Sequence, residues 1–237
     1  MPGGLDSAVW PAVPAGAPVL VPVGSTEQHG PHLPLGTDGL IARAVAERAA
    51  AALDGPPLVA PVIAYGASGE HAGFPGTVSI GHRALEAMLV EIVRSLALWA
   101  GRIVFVNGHG GNTPALDAAV GRMRAEGHQV AWAGCGVPGG DAHAGHTETS
   151  VMLHLAPHLV RPFGHVSGDA RPLAEIMPEL VARGVRALSP SGVLGDPAGA
   201  SAEHGRALVA AMVASLIRRI EGWRVDERGR LADPGRS

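Results

Sequence analysis

Val19-Leu20-Val21-Pro22-Val23, followed by Gly24-Ser25-Thr26-Glu27-Gln28-His29-Gly30-Pro31-His32-Leu33-Pro34 and then Thr37-Asp38, is the stretch whose reading decides the fold. Five apolar, mostly β-branched residues without alternation read as a strand buried on both faces, the mark of a parallel sheet. Polar residues begin where the strand ends, and from Leu40 to Leu53 the apolar residues recur at helical spacing. Strand, polar loop and helix in that order form the unit of an open α/β sheet, which collects its ligands at the carboxyl ends of its strands.

Outward from that unit the pattern repeats. Leu58 to Ile63, Ile103 to Val106 and Val130 to Ala133 are further strand candidates, and Pro61 assigns the first of them to an edge or a bulge. Ala84 to Ala100, Thr113 to Ala125, Glu148 to Leu155 and Ala202 to Ile220 carry helical periodicity. The alternation predicts an α/β protein, a three-layer α/β/α sandwich with a mostly parallel central sheet. No linker divides the chain, so residues 1–237 read as one domain, with 1–18 and 224–237 as mobile termini. Gly164 to Pro172 and Ser189 to Gly199 read as functional loops or interface segments. Ala207 to Ile217, apolar around much of its circumference, reads as deep burial or a subunit contact.

Composition excludes several function classes. A charged fraction of 16% against 46% hydrophobic residues is below the usual ~25% charged and excludes a disordered chain. All 18 basic residues are Arg, and against 21 acids the net charge is -3, so no basic face is expected to neutralise phosphates and no nucleic-acid partner is expected. Without Lys there is neither Schiff-base chemistry nor a P-loop lysine. The single Cys135 allows no internal disulfide and no Cys-rich zinc site, reads as a small buried hydrophobe, and points to a cytoplasmic location. Met1 to Pro18 lacks the pattern of a secretory signal, and Ala207 to Ile217, the longest nearly apolar stretch, is about half a membrane span, so no membrane partner is expected.

Three Gly-rich loops carry the candidate chemistry. In the first, Glu27 and His29 are two apart, so an extended backbone presents both to the same side, and Asp38 follows at the start of a helix either as a cap or as a ligand. The second is Asn107-Gly108-His109-Gly110-Gly111-Asn112, again between strand and helix. A phosphate loop is the rival there, but a G-x-G-x-x-G spacing is missing and a His at the apex suits a metal. The third runs from Gly139 to Ser150, with His143 on the loop and Glu148 in the first turn of a helix, where ordinary helix-start residues are the competing explanation. Glu27, His29, Asp38, His109 and Glu148 together supply two imidazoles and three carboxylates, an inventory that fits two adjacent divalent ions better than one structural zinc. Glu70 and His71, on a loop before Phe74-Pro75-Gly76, read either as substrate or outer contacts of the site or as incidental loop polarity.

Ser25-Thr26-Glu27-Gln28-His29-Gly30 with Thr37-Asp38, Asn107-Gly108-His109-Gly110-Gly111-Asn112, and His143-Ala144-Gly145-His146-Thr147-Glu148-Thr149-Ser150 resemble the signature segments of the creatininase (creatinine amidohydrolase) family, in order from about Val19 to Arg219. Ala64 to His71, Pro138 to Asp141 and Gly192 to Pro197 are similar to the branch of that family serving mycofactocin biosynthesis. The resemblance implies a creatininase-like fold and a metal-dependent peptidase that releases a C-terminal Val-Tyr dipeptide from a modified precursor peptide. It implies two divalent ions per subunit, zinc or iron or both, or manganese. Glu27, Asp38 and His109 would hold one ion and His29, Asp38 and Glu148 the other, with Asp38 bridging. A metal-held hydroxide would attack the amide while His143 served as the catalytic histidine, and the assembly would be a homo-oligomer. Creatininase itself has Tyr-Glu where this chain has Gly110-Gly111, a departure that argues against creatinine as substrate. Two other readings stay open: a creatininase-like amidohydrolase acting on a small cyclic amide or formamide, and a metal- or nucleotide-binding module without turnover.

Overall fold

The structure, a computed structural model, describes residues 4–234. Its elements in chain order are β1 (Val19–Val23), α1 (Thr37–Ala52), β2 (Leu58–Val59), α2 (Gly81–Leu96), β3 (Ile103–Asn107), α3 (Thr113–Ala125), β4 (Val130–Gly134), α4 (His146–Leu155), α5 (Leu173–Arg183), α6 (Val185–Leu188) and α7 (Ala202–Gly222). The four strands are parallel in the order β2-β1-β3-β4, with Val23 in register with Asn107 and Asn107 with Gly134. Alternate residues along each strand face opposite layers. Leu20, Val104, Val106, Ala131 and Ala133 share a core with Ile41 and Val45 of α1, Val151 of α4 and Val209, Met212 and Leu216 of α7. Val19, Val21, Val23, Ile103, Phe105 and Trp132 pack on the other face against α2 and α3. The two cores on one sheet make the α/β/α sandwich. Because β1 pairs with β2 on one side and β3 on the other, the strand order reverses between β1 and β3, and their carboxyl ends open the crevice where such sheets bind ligands.

Three features depart from the sequence expectation. The run to Ile63 keeps regular pairing only over Leu58–Val59, because Pro61 has no N–H to give; Ile63 rejoins β1 through a bond to the Pro22 carbonyl. Helix α5 goes unpredicted because Pro178 lies inside it, yet Ile176 on its inner face is fully buried with Val185 and Leu194. The terminal segments, expected to be mobile, dock onto the two outer strands. Leu5 N–H donates to the Val59 carbonyl, while Trp132 N–H donates to the Gly229 carbonyl and the Trp132 carbonyl accepts from Leu231 N–H, which buries Leu231. Outer strands present unpaired N–H and C=O groups, and these segments pair part of them. Residues 1–3 and 235–237 of the expected tails lie outside the described residues. Within 207–217, Val209, Met212 and Leu216 supply the buried stripe of α7. Among the described residues no helix is long and apolar enough to cross a membrane.

Candidate active site

Local structure draws the three loops together. Gly108, just past β3, lies so close to the start of α1 that a Cβ there would fall 2.4 Å from the Asp38 carbonyl oxygen. Only glycine lets the two backbones approach in this way. Asp38 is not the helix cap, since Gly36 occupies that position and no side chain caps α1. Its side chain turns instead into the crevice, where Oδ2 accepts from Ser25 Oγ at 2.7 Å. Asp38 Oδ1 lies 3.1 Å from His29 Nε2 and Oδ2 lies 3.3 Å from His109 Nδ1, so one carboxylate offers one oxygen to each of two imidazoles.

Around Asp38 the other side chains fall into overlapping triads. Glu27, Asp38 and His109 place ligand atoms within 4.8 Å of one another, as do His29, His143 and Glu148, and Glu27, His71 and His143. Glu27 Oε2 lies 3.2 Å from His109 Nδ1 and Oε1 lies 3.3 Å from His71 Nε2, while Glu148 Oε2 lies 4.0 Å from His29 Nε2. Glu27 is fully buried, yet neither of its oxygens accepts a hydrogen bond from the described residues. A buried carboxylate without donors costs several kcal/mol, on the order of 3–5 when a partner is missing. Carboxylate oxygens left without hydrogen bonds beside imidazole nitrogens fit a divalent cation.

Two backbone carbonyls aim the imidazoles. His29 Nδ1 lies 3.1 Å from the Glu27 carbonyl oxygen and His109 Nε2 lies 3.2 Å from that of Ala67. A carbonyl only accepts, so those nitrogens carry protons and the opposite ones, His29 Nε2 and His109 Nδ1, face the carboxylates. Glu70 Oε1 approaches His109 Nε2 at 3.5 Å from the outer side, and it fills the space beside Gly111, where a Cβ would lie 2.6 Å from it. Gly110 opens a 3₁₀ turn to Asn112, and the Gly111 carbonyl accepts from His82. The backbone at Ala144 adopts a left-handed φ of 53°, and its N–H donates to Glu148 Oε2 at 2.6 Å, pinning the third loop to α4. That conformation costs roughly 1–2 kcal/mol in a non-glycine residue, strain of the kind that collects at functional sites.

The electrostatics follow from burial opposed by close partners. Burial works against the charge of His29, but Asp38 and Glu148 outweigh it and raise its pKa to about 10. His109 is raised well above its ordinary value in the same way, by Asp38, Glu27 and Glu70 against burial. Burial and the Asp38 charge push Glu27 up, yet His109 and His71 hold it at about 2. Burial lifts Glu148 to about 7, with Asp38 adding to the rise and His29 opposing it. His143 is driven well below its usual value by burial and by His29 and His71, so it stays neutral.

The structure thus brings Glu27, His29, Asp38, His109, His143 and Glu148 into one crevice, with His71 beside Glu27 and Glu70 behind His109. Ser25 and Gln28 were not singled out by sequence reasoning, although both lie inside the segment that carries Glu27 and His29. Among the remaining histidines, His32 is buried against Thr149, with Nε2 2.8 Å from its hydroxyl oxygen, and His146 stacks near His204 away from the triads.

A parallel α/β/α sheet with a buried carboxylate–imidazole cluster at its switch point has the donor set of a metal-using enzyme site. The chain belongs to the creatininase (creatinine amidohydrolase) family, whose family model matches residues 8–220. It is 57% identical over 217 residues to the mycofactocin precursor peptide peptidase of Mycolicibacterium smegmatis, covering 90% of this chain and 88% of that one. It is 52% identical over 238 residues to the protein of the same name from Mycobacterium tuberculosis, covering 97% and 95%. Among solved structures, a creatininase mutant complexed with creatine superimposes with a TM-score of 0.78 at 28% identity, over 94% of this chain and 99% of that one. A creatininase mutant described as Zn-Zn type, with TM-score 0.71 and 26% identity, covers 92% of this chain and 97% of its own. A creatininase described as Mn, also at 0.71 and 26%, covers 94% and 99%.

Proposed function

We propose that this chain is a metal-dependent peptidase that releases the C-terminal Val-Tyr dipeptide from the modified mycofactocin precursor peptide. The observation that carries the chemistry is Asp38, buried and offering one oxygen to each of His29 and His109. In this reading Glu27, Asp38 and His109 hold one divalent ion and His29, Asp38 and Glu148 a second, the ions being zinc, iron or manganese. When bound, such a pair supplies Lewis acidity and an acidified water at neutral pH. The substrate class is supported by the peptidase names of relatives more than half identical over nearly the whole chain.

The chain's own residues do the rest. His143, neutral and in reach of both triads, takes a proton from the attacking water and returns it to the leaving nitrogen, so that no Ser or Cys nucleophile is needed. Cys135, whose burial raises its pKa to about 12, stays a thiol. Incubating the metal-loaded protein with the modified precursor peptide and reading masses should give free Val-Tyr and a peptide shortened by those two residues. An intact peptide alongside hydrolysis of creatinine or formamide would contradict the peptidase reading.

Metal uptake should release protons. His29, with a pKa of about 10, and His109, also raised, are doubly protonated in the metal-free chain at pH 7.5, and each must lose a proton to coordinate. Calorimetric titrations of zinc in buffers of low and high ionisation enthalpy should therefore give about two protons released per chain on full loading. Affinity should rise with pH until His29 titrates near 10. Buffer-independent heats would contradict the assignment of both imidazoles. In the metal-free chain the sign of the stability effect is opposite. The His29–Asp38 pairing contributes fully below the unfolded His value of ~6.5 and is lost as pH rises through about 10.

A further inference from the structure

Gln28 lies between two imidazoles of the site, and polarity fixes how its amide is turned. Gly30 N–H donates to Gln28 Oε1 at 2.8 Å, and Gln28 Nε2 donates to the Gly192 carbonyl at 2.9 Å. A main-chain donor on one side and a main-chain acceptor on the other allow only this orientation. Gly192 closes the slot: its φ is +82° and a Cβ there would fall 1.9 Å from Gln28 Oε1.

The proton positions on both imidazoles then follow by accounting. His143 Nε2 lies 2.8 Å from the Gln28 main-chain oxygen, which only accepts, so His143 Nε2 carries the hydrogen. It therefore cannot accept from Gln28 Nε2, although the two nitrogens are 3.1 Å apart. The amide has two hydrogens. One is committed to the Gly192 carbonyl, and the other points to His71 Nδ1 at 2.9 Å, which must be bare to receive it. His71 consequently carries its hydrogen on Nε2, the nitrogen 3.3 Å from Glu27 Oε1, whereas His143 turns its bare Nδ1 toward the same oxygen at 3.7 Å.

We propose that Gln28 is a positioning residue that makes His71 present an N–H, and His143 a lone pair, to the two sides of Glu27 Oε1. The triad Glu27–His71–His143 is then not a third cation site, despite its spacing, because its His71 nitrogen has no free electron pair. His71 becomes a neutral hydrogen-bond donor in the crevice, suited to negative charge developing on a carbonyl oxygen, while His143 alone moves protons. The same tautomer faces opposite ways on two neighbouring rings, whose centroids are 4.5 Å apart. This rests on the proposed hydrolytic site for its consequence in turnover, but not for the tautomers themselves.

Long-range ¹H–¹⁵N spectra of zinc-loaded, ¹³C/¹⁵N-labelled protein read the histidine tautomers directly, with the His71 ring assigned by through-bond correlation to its own backbone. His71 should show a protonated Nε2 and a bare Nδ1 in the native protein. In Gln28→Glu the carboxylate can only accept there, so the His71 proton should move to Nδ1. That variant should lose about 10–100-fold in kcat with KM little changed, the range typical of residues that orient site histidines. Zinc content should be unchanged in His71→Asn. A native His71 protonated on Nδ1, a tautomer unmoved by Gln28→Glu, or an ion lost in His71→Asn would overturn the proposal. The native spectrum decides even if neither variant folds, and it does so whether or not the precursor peptide proves to be the substrate.

Discussion

Asp38→Asn is expected to lower kcat/KM by at least about 10³-fold, on the order of 4 kcal/mol of transition-state stabilisation, and to deplete bound metal from both triads together. The substitution preserves size and can keep the bond from Ser25 Oγ, so the fold should survive. What changes is charge and polarity. One carboxylate now serves two imidazoles, through Oδ1 to His29 and Oδ2 to His109. An amide has a single acceptor oxygen and turns its NH₂ toward one of them. The pKa of His29 should fall as well, since Asp38 is the largest influence raising it against burial. Metal analysis and steady-state kinetics on the purified variant check this, and full occupancy with near-native turnover would contradict the shared role.

The largest stability loss is expected from Gly205→Ala. Gly205 is on α7 where it crosses α4, and a Cβ there would lie 1.8 Å from the Ser150 carbonyl oxygen and 3.0 Å from Val151 N. Helix propensity alone favours Ala over Gly by about 1 kcal/mol. The overlap is with backbone rather than a side-chain tip, so the helices must part, at a cost of about 3 kcal/mol or more. Ser150 Oγ also accepts from Ser201 N–H at the start of α7, so separation loosens that turn too. A net loss of about 2–3 kcal/mol should lower Tm by about 4–12 °C. Because Glu148 lies on the first turn of α4, two residues before Ser150, zinc affinity should fall with it. An unchanged Tm would show that the helices do not pack this closely.

How much of this was legible in the sequence depended on the kind of signal. Val19–Val23, Ile103–Val106 and Val130–Ala133 stood out because strands buried on both faces are uninterrupted apolar runs, and the latter two strands extend one residue further, to Asn107 and Gly134. Helix α3 was readable to the residue, with Pro114 in its first turn. Helix α5 was hidden by Pro178, a local penalty that the burial of Ile176 outweighs. The docked ends were hidden too, because residues such as Arg230 look like solvated tail until they are seen pairing with Trp132. In the site, residue type and loop position singled out Glu27, His29, Asp38, His109, His143 and Glu148. Sequence could not decide that Asp38 leaves the capping role to Gly36, since that depends on where α1 begins relative to β3. Nor could it show Gln28 between His71 and His143, because the partners are 43 and 115 residues away. Candidate chemistry is legible in residue types; hydrogen-bond partners depend on distances between loops.

The decisive measurement is an anomalous-difference map from crystals of the zinc-loaded protein, collected at the zinc absorption edge. Two peaks should appear on either side of Asp38, one bounded by Glu27 and His109 and the other by His29 and Glu148. A map with no peak among these five side chains, or with a single peak remote from Asp38, would contradict the binuclear site.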